Sequence, residues 1–128
     1  MSLNGTWTYQ SFRPDNGNPS LRPWAPPAQL SVTTDEAGKV SGKLTFPSAP
    51  GLELAISGSV MAAVPGKLPP RVELTGEGGR SSVNTIQGYF VPGSASPLIT
   101  GTVIAVRSDP AGQPDGTSGP FVLFQLTQ

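Results

Sequence analysis

Leu3-Asn4-Gly5-Thr6-Trp7-Thr8-Tyr9-Gln10-Ser11-Phe12 is the stretch on which the fold turns. Leu3, Gly5, Trp7, Tyr9 and Ser11 share one parity, while Thr6, Thr8, Gln10 and Phe12 share the other. A period of two separates such sets onto the two faces of an extended chain, so residues 2–12 read as a first β-strand whose Leu-Trp-Tyr face meets a core. No segment of the chain holds a helical period for more than a turn or two.

Seven further runs of the same kind follow. Residues 29–35 alternate Leu30 and Val32 against Ser31 and Thr33, and Asp35-Glu36-Ala37-Gly38 turns tightly into a third strand at 39–46. Strands at 52–61, 71–78, 84–91, 98–107 and 121–127 continue the alternation. Residues 13–27 form the longest connection and carry one large apolar residue, Trp24, for which a plain solvent loop has little use; Trp24 is a candidate lid. The 16 glycines and 15 prolines fall between the apolar runs and punctuate them, so the chain is not of low complexity.

Eight strands joined in order by mostly short loops predict a single all-β domain over residues 1–128, an eight-stranded antiparallel up-and-down β-barrel, in which closure removes the exposed edges of a flat meander. Six strands carry a glycine in the inward register: Gly5, Gly42, Gly58, Gly76, Gly88 and Gly101. Two readings apply to them. Missing side chains either leave a cavity or permit the tight coiling that a small barrel needs.

Composition narrows the chemistry. There is no Cys and no His, which removes disulfides, thiolate nucleophiles, Ser-His and Cys-His pairs and His-ligated metal sites. Eight basic and eight acidic residues cancel without forming a run, so nothing supplies the basic stripe that nucleic acid requires, and no apolar run reaches membrane-spanning length. No targeting segment is written in the chain, which favours the cytoplasm unless a signal peptide has been removed. All eight carboxylates fall on outward positions or in turns, so conventional acid-base hydrolysis is not expected and no catalytic residue, metal or cofactor is assigned.

The Gly-x-Trp on the first strand, together with Val40-Ser41-Gly42-Lys43-Leu44 and Ile99-Thr100-Gly101-Thr102-Val103, resembles the glycine-bearing strands of the avidin and streptavidin barrels, and more loosely those of the lipocalins. The resemblance extends over nearly the whole chain at the level of strand order. It implies a ligand-binding scaffold and oligomerisation. It does not bring biotin with it, because only Trp7 and Trp24 stand where avidins use several tryptophans, and Tyr9 takes a position where they place a ligand-binding Asn.

In a meander the loops after strands one, three, five and seven lie at one end, and these include the two longest. That end is the expected mouth, with Trp7 packed toward the floor. The inward residues near it are Ser11, Phe46, Leu52, Asn84 and Arg107; Tyr9, Ser11, Trp24, Phe46, Asn84 and Arg107 form the expected ligand site, in which Arg107 would either face a ligand carboxylate or snorkel to solvent at the strand end. The expected function is a non-catalytic binding module for a small, largely apolar molecule. Two alternatives stand beside it: a barrel-cyclase-type enzyme shaping a reactive apolar substrate with Tyr9 or Arg107, and a solid structural domain. Apolar residues on the outer faces of the last three strands, namely Tyr89, Val91, Leu98, Ile104, Val106 and either Phe121 with Leu123 or Val122 with Phe124, predict a homodimer.

Overall fold

The computed structural model describes residues 3–15, 18–79, 81–108 and 113–125. Among the described residues nine strands follow one another: β1 Gly5–Pro14, β2 Leu21–Pro23, β3 Ala28–Thr34, β4 Lys39–Thr45, β5 Glu53–Met61, β6 Arg71–Gly78, β7 Ser82–Phe90, β8 Leu98–Arg107 and β9 Thr117–Phe124. All pairings are antiparallel, and from β3 to β9 each strand bonds the next in sequence. β1 pairs with β3 through residues 5–9 and with β9 through residues 8–11. This double pairing closes an eight-stranded up-and-down barrel, as the alternation predicts. Among the described residues there is no helix.

Local chemistry fixes the register. At the β3–β4 turn the Asp35 carboxylate accepts hydrogen bonds from the backbone N–H of Ala37 at 2.9 Å and of Lys39 at 2.8 Å, and Gly38 takes a φ of 86° that a side chain would resist. The inward parity then fills the barrel: Trp7, Leu30, Val72, Leu74, Ile86, Ile99, Phe121 and Leu123 are all buried. Each such side chain contributes about 1.5–3 kcal/mol by leaving water.

The glycines serve close approach more than open space. A Cβ on Gly42, Gly58 or Gly101 would meet the carbonyl oxygen of Ser31, Glu73 or Gln87 on the neighbouring strand. Gly88 lies beside Gly101 in register, and Gly101 beside Phe121; a Cβ on Gly88 would come within 2.8 Å of the Phe121 ring. Coiling therefore accounts for these positions, and Phe121 covers the interior of the glycine pair. Gly76 differs, since a Cβ there would first meet the Ile56 and Leu54 side chains.

Three expectations change. The 13–27 connection contains β2, which pairs with β1 through Phe12↔Pro23 and Pro14↔Leu21 and stands outside the closed sheet. The last strand begins at Thr117, not Phe121; its expected last residues, Leu126 and Thr127, lie outside the described residues. Most consequential is a bulge near the end of β8: Val83 pairs with Arg107 but Asn84 with Ala105, leaving Val106 as an extra residue. Parity flips there, so Ala105 is buried while Val106 and Arg107 are both exposed. Arg107 does not point into the barrel. The open choice on the last strand is also resolved: Phe121 and Leu123 are buried, so Val122 and Phe124 face outward.

Candidate functional site

Two cavities occupy opposite ends of the barrel, separated by the packed middle of the core. The first lies at the end formed by the loops after β1, β4, β6 and β8, measures about 180 Å³ and is lined by Tyr9, Ser11, Trp24, Phe46 and Asn84 among others. Five of the six expected site residues thus border one cavity. The sixth, Arg107, is exposed outside it, where its Nε donates to the Ser81 carbonyl at 2.6 Å and ties β8 to the β6–β7 turn.

The strand β1 sets two of the five. Tyr9 is 7% exposed, its ring lies 5.8 Å from that of Phe121, and its hydroxyl is hydrogen-bonded to the Ser11 side chain. Burial pushes the phenol well above its ordinary value, and the Ser11 hydrogen bond offsets this only in part, so the group is neutral. Trp24 is delivered by the β1–β2 ribbon. Its backbone N–H donates to Ser11 O at 2.9 Å, while Gln10 Nε2 donates to Ala25 O at 2.9 Å. These two bonds pin residues 24–25 over the mouth, and the Trp24 and Phe46 side chains pack on the core from above. Gln10 reads as plain outward strand in the sequence, so this role gave no signal there.

On the far wall Asn84 of β7 lines the cavity and its side chain makes no hydrogen bond among the described residues. Ser108, just past the β8 bulge, also lines it, and its Oγ is buried without a hydrogen-bond partner among the described residues. Ser108 carries no signal in the sequence because it reads as the first residue of a loop. The remaining lining is mostly apolar, including Leu44, Leu54, Ile86 and Val103. None of the described carboxylates lies in the cavity or is buried; Asp109 is outside the described residues. Among the described residues no three acidic side chains stand together as metal ligands.

The second cavity, about 440 Å³, is bounded by the β5–β6 and β7–β8 connections and was not anticipated. Its lining includes Trp7, Pro69, Pro70, Phe90, Pro92 and Pro97. Trp7 closes the core on that side, 2% exposed, with its Nε1 donating to Leu3 O at 2.9 Å. The polar groups here are already engaged: Ser94 Oγ donates to Val91 O at 2.8 Å and Gln125 Nε2 to Asn4 O at 3.2 Å. The sequence hid this cavity because its walls are loops rich in proline, which read as mere connections. Comparison with known proteins finds no matching family model, no matching curated protein and no matching solved structure.

Proposed function

We propose that this protein is a non-catalytic binding module holding a small, largely apolar molecule in the cavity under Trp24. The observation that supports the reading is the contrast between the two ends. The larger cavity has its polar groups satisfied, whereas the smaller one offers Asn84 and a buried, unpartnered Ser108 hydroxyl amid apolar walls. An unsatisfied buried polar group costs folding free energy, and a ligand that bonds it recovers that cost. A mostly apolar pocket with few polar groups is the usual composition of a small-molecule site. The resemblance of the first strand to avidin barrels points the same way. Native mass spectrometry after mild purification, followed by thermal shift with neutral aromatic and aliphatic probes, tests the reading. A retained ligand or a probe-dependent rise in melting temperature is expected; a bare protein that no probe stabilises would sink it.

The same proposal includes a second copy of the chain packed on the outer faces of β7 to β9. Tyr89, Ile104 and Val106 are exposed there, with Leu98, Val122 and Phe124 half-exposed. In register these form two groups: Tyr89 and Val122 flank Thr100 beside the Leu98–Phe124 pair, while Ile104 stands between Thr85 and Ser118. Outward positions of β4 and β6 are instead Ser41, Lys43, Glu73, Thr75 and Glu77. The other exposed large apolar residues, Leu21, Leu52, Val64 and Leu68, lie on β2 and in connections, so among the described residues β7 to β9 carry the exposed large apolar residues of the closed sheet, which suits an isologous dimer interface.

A further inference from the structure

We propose that the cavity under Trp24 takes a neutral, ring-sized molecule carrying one hydrogen-bonding group, an amide or an alcohol, which Asn84 and Ser108 receive, and that it rejects carboxylates and ammonium ions. This rests on the binding reading above and specifies its ligand class. Size comes from the volume: about 180 Å³ is close to the roughly 150 Å³ apolar cavity that accommodates benzene in a protein interior. A single ring fills it, and a polar substituent reaches the wall.

Polarity comes from the unmatched groups. Among the described residues Ser108 Oγ has no partner and the Asn84 amide bonds nothing, so this wall offers both donors and acceptors. A pure hydrocarbon would leave the buried Ser108 hydroxyl unsatisfied. Neutrality comes from the charges: among the described residues Tyr9 is the one titratable side chain in the lining, and its buried phenol stays protonated. The expected cation, Arg107, lies outside on the Ser81 carbonyl, so among the described residues an anion bound here would find no counter-charge in the lining and an ammonium no carboxylate.

The test is an NMR titration of the whole protein with toluene, benzyl alcohol, benzamide, benzoate and benzylammonium, repeated with Ser108→Ala and Asn84→Ala. Benzamide and benzyl alcohol should bind about fivefold tighter than toluene, the worth of one net hydrogen bond, and at least tenfold tighter than the two ions, about one decade. Each variant should remove about half of that gain, weakening benzamide about twofold, and leave toluene unchanged. Ser108→Ala should not lower the melting temperature, because its hydroxyl has no bond to lose. Equal binding of toluene or benzoate and benzamide would overturn the proposal while leaving the binding reading intact. So would variants that weaken toluene and benzamide alike. If none of the five probes binds, this proposal fails, and the binding reading fails with it only where native mass spectrometry and the aliphatic probes are blank as well.

Discussion

Tyr9 shows how much one side chain contributes at the site. Its ring packs on Phe121 and its hydroxyl bonds Ser11, itself only 9% exposed. Tyr9→Phe keeps the ring but leaves the Ser11 hydroxyl short of a partner, so urea unfolding should show a loss of about 1–2 kcal/mol. The pH dependence has a definite sign. The folded state holds the Tyr9 proton more tightly than the unfolded chain does, so this contribution is complete below the ordinary phenol value near about 10 and is lost as pH rises beyond it. Alkaline unfolding curves should therefore be shallower for Tyr9→Phe than for the unmodified protein; parallel curves would show that Tyr9 ionises freely in the fold. Parity in the sequence placed Tyr9, Ser11 and Asn84 at one cavity, as the structure does. It failed at Arg107 because Ile104-Ala105-Val106-Arg107 alternates normally on paper, and a one-residue bulge carries no composition signal. Arg107→Ala is accordingly predicted to leave ligand affinity unchanged.

At the scale of elements, the β1–β2 ribbon and the β7–β8–β9 contact are the parts that hold the site's shape. Gln10→Ala removes the bond to Ala25 O, and about 1 kcal/mol of local stability should go with it. Hydrogen exchange at the Trp24 amide should then accelerate about fivefold, while exchange at the β6–β7 ladder stays put. Unchanged Trp24 exchange would show that Ser11 O alone fixes the ribbon. Gly101→Ala should be far worse: its Cβ would meet Gln87 O, prising β8 from β7, with a loss of about 3 kcal/mol in denaturant unfolding. The sequence marked Gly101 as inward without deciding between cavity and coiling, because that choice depends on how near the next strand comes. It also missed β2 and the first residues of β9, where Leu21-Arg22-Pro23 and Ser118-Gly119-Pro120 carry turn residues inside paired strands. Proline and glycine in such positions mimic loops.

Across the whole molecule, the alternation of eight runs was enough to specify a closed barrel, since strand order followed chain order and no edge needed to stay open. The two-ended interior was not legible, because cavity volume depends on how loops of mixed composition settle over each mouth. The outer faces of β7 to β9 bear on assembly: the unmodified chain should behave as a dimer in light scattering at micromolar concentration, and Ile104→Glu as a soluble monomer. A monomeric unmodified chain would leave those faces without a partner copy. The central claim is that the cavity under Trp24 is the binding site, and the two tryptophans of the chain report on the two ends separately, since Trp24 lines one cavity and Trp7 the other. The most direct measurement is the pair of indole N–H signals in a nitrogen-proton correlation spectrum during titration with benzamide, with Trp24→Phe used for assignment. The Trp24 signal should shift saturably while the Trp7 signal, held on Leu3 O, stays fixed. A shift of Trp7 alone, or of neither, would contradict it.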